Sequence, residues 1–267
     1  WEKPKQQELS NLTEAVRSVN EGIFLVGNSE GGYGTAFVIS KEHRLLATNS
    51  HVADIEYNSA KELLVIRNNS SDVYKINRIF YHPGVMRELE GALPVRSVDP
   101  QDGEVIERSP DLAVLEIKEG KELPQEFKLA TKEELKDLFA QPVGMLGYPG
   151  HDTLSWPGIG ENANATFRTG VISRLTDFYG DVNVKSSEKQ FVQHTMANWF
   201  GFSGAPIFLK NGHVVVINNS INKVSKKELS TTLSYGVRVD ALWELLVYHG
   251  LEKKVAIDIN KNELDLT

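Results

Sequence analysis

The chain has 267 residues, enough to bury a full core as one large domain or as two packed halves. Its net charge of −7 shows no basic excess, which argues against nucleic acid and anionic membrane as partners. Cysteine is absent, so disulfides, zinc–cysteine sites and a thiol nucleophile are excluded together. No apolar run approaches the roughly 18 residues that span a bilayer, so direct membrane insertion is not expected. The sequence opens on Trp1 rather than Met, so either a trimmed or a processed form of a longer chain is expected. An extracytoplasmic, periplasmic or secreted setting is favoured without excluding the cytoplasm.

Residues 7–19 carry Leu9, Leu12, Ala15, Val16 and Val19 at helical spacing, which predicts one amphipathic helix. Short apolar runs follow: GIFLVG, GTAFVIS, RLLATN, ELLVIR, YKINRIF and DLAVLEI. Gly, Asn and Ser punctuate them in the manner of an antiparallel sheet. TKEELKDLF reads as a short helix opened by Thr131, with Glu134 at the capping-box spacing. A second series comprises VGMLGY, TFRTGVISRL, KQFVQHT, APIFLK, HVVVINN and LSYGVRV. The chain then turns helical at DALWELLVYHG, with Asp240 as the expected N-cap and Gly250 as the stop.

Two groups of about six strands predict a mainly β protein built as two tandem six-stranded antiparallel barrels. The expected division is an N-terminal helical extension at 1–19, a first barrel at 20–130, a second barrel with the C-terminal helix at 131–250, and a tail at 251–267. Segments 83–110 and 150–165 and the tail do not read as strands. Loops of such length are often functional.

ANWFGFSGAPIF, residues 197–208, places Ser203 in a glycine-flanked turn before an apolar run. A serine hydroxyl is a weak nucleophile and needs a base, usually His, that is itself oriented by a third group. Of seven histidines, His51 stands out in LLATNSHVAD, where an apolar strand ends in small residues. Asp111 in SPDLAVLEI enters a buried strand end, where a carboxylate needs donors such as a histidine N–H. Taken singly, each residue is equally well a turn or capping residue. No His, Asp or Glu cluster has metal-ligand spacing, so no metal site is expected.

GYGTAFVIS, LLATNSHVAD, SPDLAVLEI, FRTGVIS, GFSGAPIF and GHVVVINN occur in the order seen in trypsin-like serine proteases. The chain resembles most the bacterial trypsin-like peptidases of the HtrA/Deg kind, from about residue 20 to 248. The resemblance implies the chymotrypsin fold, with the site in the cleft between two barrels. His51 and Asp111 would come from the first and Ser203 from the second. It implies a serine endopeptidase that acts on peptide or protein substrates and needs no cofactor. The N–H groups of Gly201 and Ser203 would form the oxyanion hole. Met196, Ala197 and Asn198 before the nucleophile, and Ile217, Asn218 and Asn219 on the next strand, would wall the substrate pocket, with His194 lining it. No acidic residue lies in either stretch, so a small or medium neutral P1 residue is expected rather than Lys or Arg. His82 in FYHPG reads as structural.

Several positions depart from the family pattern. Phe202 stands where digestive relatives carry an aspartate that pairs with a newly cut N-terminus, so that activation route is not expected. Ala205 replaces a common glycine, and the aromatic run at 198–200 replaces a more polar approach. These changes leave room for an oxyanion loop that collapses at rest or is ordered by an activating partner protein. The interval from His51 to Asp111 is long, the excess falling on 83–110, and no PDZ module is expected after Gly250.

Two other readings compete. An α/β-hydrolase uses G-x-S-x-G, but here the second glycine directly follows Ser203, and too little chain remains for its Asp and His. A latent or inactive trypsin-fold protein that binds a peptide or partner in its cleft is the alternative.

Overall fold

A computed structural model describes residues 6–27, 33–53, 63–85, 96–98, 105–107, 110–149, 163–178, 180–223 and 232–255. Helix α1 (Gln6–Val19) opens the chain and buries Leu12, Ala15 and Val19, as their spacing predicts. Strands β1 (Ile23–Gly27), β2 (Tyr33–Ser40) and β3 (Leu45–Thr48) follow, then the helical turn α2 (Ser50–Ala53). Next come β4 (Leu64–Arg67), β5 (Val73–Tyr74), β6 (Ile76–Tyr81), the short hairpin β7 (Arg96–Val98) and β8 (Val105–Glu107), and β9 (Ala113–Ile117). The second half holds β10 (Pro142–Gly147), β11 (Thr166–Thr176), β12 (Phe191–His194), β13 (Pro206–Phe208), β14 (Val214–Lys223) and β15 (Thr232–Arg238). Helix α3 (Val239–Tyr248) closes it.

The protein is mainly β, with two antiparallel sheets of the chymotrypsin kind. The first has strand order β5-β4-β1-β2-β3-β9-β6. Its two edge strands, β5 and β6, are separated in sequence only by Lys75, so the sheet curls round until its edges are continuous chain. It is a curled half-barrel of seven strands where a six-stranded barrel is predicted. The second sheet is a closed barrel, β10-β11-β12-β15-β14-β13, sealed where Gly144 and Met145 pair with Phe208 and Ile207.

Alternation along the first strands sorts their side chains onto two faces. Ile23, Leu25, Phe37, Ile39, Leu45 and Ala47 join a cluster that runs on through the second barrel. Phe24, Val26, Ala36, Val38, Leu46, Val65 and Leu115 form a separate one. The connector between the sheets carries Phe127, which meets Phe37 at 5.3 Å between ring centroids and Phe208 at 6.2 Å. Burying one such ring is worth about 1.5–3 kcal/mol, so this side chain fixes the two halves against each other.

Three expectations need correction or limits. The Thr131–Glu134 cap forms, with Thr131 N–H on Glu134 Oε2 at 2.8 Å and Glu134 N–H on Thr131 Oγ1 at 3.3 Å. No helix follows it. The chain runs through successive turns and leaves through Ala140 at φ 61°, which lets Leu138 bury. Helix α3 is capped by Arg238, not Asp240; Asp240 lies in its first turn and accepts from the Arg238 guanidinium. The stop at Gly250 is as expected, with Leu251 N–H closing on Leu246 O at 2.7 Å. Of the three segments read as non-strand, 83–110 is corrected where it is described, since it holds the hairpin β7–β8; most of the rest of it, most of 150–165 and all of 256–267 lie outside the described residues.

Candidate active site

β3 ends at Thr48, and α2 starts two residues later, so His51 projects from the rigid end of a strand. β9 begins just after Asp111, which is buried. An unpaired carboxylate there would cost several kcal/mol, but this one is surrounded by donors. Its Oδ1 accepts from the Ser50 hydroxyl and from His51 N–H at 3.0 Å. Its Oδ2 lies 2.5 Å from His51 Nδ1. The Asp111 backbone carbonyl accepts from Asn49 Nδ2 at 2.8 Å. Burial pushes the carboxyl up, but the His51 ring and the hydrogen bonds from His51 and Ser50 outweigh it and hold the pKa at about 2. Because an ionised carboxylate only accepts, the Nδ1 proton sits on His51 and leaves Nε2 as the basic nitrogen.

Ser203 comes from the turn between β12 and β13. Thr35 on β2 joins this turn to the first sheet: its N–H donates to Ser203 O at 2.7 Å and its hydroxyl to Gly201 O at 2.8 Å. Thr48 Oγ1 in turn donates to Thr35 O at 2.7 Å. Contacts are so close that side chains are excluded. A Cβ on Gly34 would lie 2.5 Å from the Val52 side chain and 3.1 Å from Ser203 O. One on Gly204, at φ 83°, would lie 2.0 Å from Thr35 O. The segments bearing His51 and Ser203 therefore meet across Gly34 and Thr35.

The Ser203 hydroxyl donates to Asn219 O at 3.0 Å, and this is its one hydrogen bond among the described residues. The hydroxyl proton is thus directed at Asn219 O and not at His51. Gly201 adopts φ 92°, and among the described residues neither its N–H nor that of Ser203 donates a hydrogen bond. The loop is not folded onto those two donors.

The residues expected to wall a pocket are mostly interior. Ala197 is exposed, while Met196, Ile217, Asn218 and Asn219 are buried. His194 and Asn198 are buried as well. His194 Nε2 contacts Asn218 Oδ1 at 3.0 Å, and Asn198 and Asn218 exchange two amide bonds of 3.1 Å. Burial lowers the His194 pKa to about 4 despite the Asn218 contact, so its ring is neutral near neutral pH. Phe202 is fully buried, with the Arg168 guanidinium over its ring at 5.2 Å. Sequence reading missed Thr35, Ser50, Asn49 and Arg168; the only signal was the small-residue run GYGT, which marks a close backbone approach.

Among the described residues no group of His, Asp or Glu side chains could hold a metal ion. A groove of about 380 Å³ lined by Leu135, Phe139, Arg174, Val182 and Lys189 contains none of these site residues.

A buried Asp111 paired with a half-buried His51 and a serine turn, set where a curled half-barrel meets a closed barrel, define a protein of chymotrypsin-like architecture. The family model for the trypsin-like peptidase domain matches residues 34–217, and the chain belongs to that family. No curated protein matches the sequence. Among solved structures it is similar to Rv3671c protease in an inactive form, at TM-score 0.59 and 16% identity over 93% of this chain and 98% of that one. It is also similar to the HtrA-type protease AlgW with a tripeptide, at TM-score 0.56 and 20% identity over 90% of this chain and 64% of that one. At these identities the likenesses show the fold alone, the one common to trypsin-like peptidase domains.

Proposed function

We propose that the protein is a serine endopeptidase that cleaves peptide bonds with Ser203 as nucleophile, His51 as base and Asp111 as the group that orients it. The observation that carries this reading is the buried Asp111 carboxylate, 2.5 Å from His51 Nδ1. In the reaction Ser203 Oγ bonds to the substrate carbonyl carbon while its proton passes to His51 Nε2. The carbonyl oxygen becomes an oxyanion facing the N–H groups of Gly201 and Ser203. Collapse of this intermediate breaks the C–N bond, and His51 returns the proton to the leaving amine. Water then attacks the acyl-enzyme, giving its proton to His51, and Ser203 is regenerated. The substrate is a peptide or protein, with a small or medium neutral P1 residue.

Labelling by a fluorophosphonate tests the reading, wild type beside Ser203→Ala, His51→Ala and Asp111→Asn. Labelling is expected to vanish in the serine variant and to drop steeply in the other two. A folded wild type that stays unlabelled from roughly pH 6 to 9 overturns it. The bond from Ser203 Oγ to Asn219 O favours a second reading, a latent enzyme whose hydroxyl is released only when a peptide or partner binds. Labelling that appears only on adding such a peptide would identify it.

A further inference from the structure

The mechanism above uses two N–H groups but not the residues that aim them, and the second barrel holds a neutral polar cluster directly behind the loop. A trans peptide is planar, so the Phe202 carbonyl and the Ser203 N–H point in opposite directions from one plane. The Phe202 carbonyl is held from behind by Asn218 Nδ2 at 2.9 Å, and by Ala205 N–H at 3.0 Å. Anchoring that oxygen inward leaves the Ser203 N–H facing away from the cluster, and it meets no acceptor among the described residues.

Asn218 is in turn fixed on every side. Its Nδ2 donates to Phe202 O and to Asn198 Oδ1, and its Oδ1 accepts from Asn198 Nδ2 and faces His194 Nε2. The amide orientations are set by groups that cannot exchange roles: Phe202 C=O only accepts, and Trp199 N–H, 2.9 Å from Asn198 Oδ1, only donates. The Asn218 main chain grips the same loop, accepting from Gly204 N–H and donating to Ala205 O, both at 2.9 Å. Asn218 is 0% exposed. In so dry a setting each bond is strengthened, and any bond left unmade is costly.

We propose, resting on the serine-peptidase reading, that Asn218 is a positioning residue whose carboxamide, braced by Asn198 and His194, aims the Ser203 N–H at the substrate oxyanion. It touches neither substrate nor reacting atoms and acts through the Phe202–Ser203 peptide plane.

The test uses the whole chain. Asn218→Asp keeps the side chain's size but turns the donor to Phe202 O into an acceptor. Asn198→Ala leaves that donor and removes its brace. Each variant is compared with wild type by its rate of labelling with a fluorophosphonate and by amide hydrogen exchange of the peptide spanning 198–205. The far-downfield proton signal of His51 Nδ1–H reports whether the acid–base pair is intact. Asn218→Asp is expected to slow labelling about 10²-fold, the effect of losing one oxyanion donor, with faster loop exchange and the His51 signal retained. Asn198→Ala is expected to slow it by less than about tenfold. Labelling of Asn218→Asp within about threefold of wild type, or unchanged loop exchange, overturns the proposal. Loss of the His51 signal in that variant also overturns it, since the effect then spreads beyond the loop. If Asn218→Asp does not fold, Asn198→Ala decides alone, and no change in labelling and exchange overturns the proposal. Absence of labelling in the wild type overturns the peptidase reading instead, and the exchange measurement still decides whether Asn218 orders the loop.

Discussion

In the first sheet Asp111 and His51 meet through a charge, with a carboxylate held ionised by a ring, a hydroxyl and a backbone N–H around it. In the second barrel the loop carrying Ser203 is held by neutral amides and backbone carbonyls, with its histidine kept uncharged by burial. The two devices fail differently. A buried charge depends on its partner and loses much when the partner changes, whereas a neutral loop depends on shape and on every donor meeting an acceptor. Each half can therefore be disturbed while the other is watched.

Asp111→Asn strikes the charged half hardest. It keeps the size of the side chain but removes the charge and permits the wrong His51 tautomer. Fluorophosphonate labelling is expected to fall by about 10⁴-fold, the loss typical of this substitution in such a triad. The 198–205 loop, which makes no bond to Asp111, should keep its hydrogen exchange; faster exchange there would show that the halves are not separable.

Gly204→Ala strikes the shape-dependent half. The new Cβ would come within 2.0 Å of Thr35 O and 2.4 Å of Thr48 Oγ1, on a backbone at φ 83°. Backbone strain and overpacking together are expected to destabilise the protein by roughly 3–5 kcal/mol. Chemical denaturation measures it, and a loss below about 1 kcal/mol would mean that the loop relaxes freely and is not fixed by fit.

These contrasts mark what the sequence made legible. Strand runs such as GIFLVG and HVVVINN alternate strongly enough to announce both sheets, and Ser203, His51 and Asp111 each sit in a recognisable local setting. The curl of the first sheet was hidden, because it depends on β5 and β6 lying on opposite edges on either side of Lys75, a fact of pairing and not of pattern. The helix expected after Thr131 is absent although its cap forms, since burial of Leu138 outweighs one turn's local preference. His194, Asn198 and Asn218 read as pocket lining because chain position shows that they lie near Ser203, not which way they face.

Acid separates the halves without mutation. His194 has a folded pKa of about 4 against an ordinary 6.5, so between these values the unfolded chain binds a proton that the folded protein refuses. Stability therefore falls as pH drops from 6.5 to about 4, by on the order of 3 kcal/mol from this residue. Asp111 has the opposite protonation chemistry but the same direction: its stabilisation is present above 3.8 and is lost as pH falls to about 2. His194→Gln is expected to flatten the upper window only, and denaturation midpoints taken across it give the answer. An unchanged slope would mean that the ring takes up its proton in place.

The smallest expected effect falls on the residue that joins the halves. Thr35 bonds the serine turn through both main chain and hydroxyl, and the hydroxyl also accepts from Tyr148 N–H at 3.2 Å. Thr35→Val keeps the β-branch and the main-chain bonds and leaves Gly201 O and Tyr148 N–H without this partner. The loss is expected to be about 1–3 kcal/mol of stability, since two buried neutral hydrogen bonds go at about 0.5–1.5 kcal/mol each. Gly201 O belongs to the peptide plane after the one that carries the Gly201 N–H, so labelling should slow less than in Asn218→Asp, whose bond acts directly on a plane carrying an oxyanion donor. If Thr35→Val slows labelling more, the first sheet, and not the cluster behind the loop, sets the geometry of the hole. The contrast between a charged half and a self-sufficient neutral half would then fail at the point where they touch.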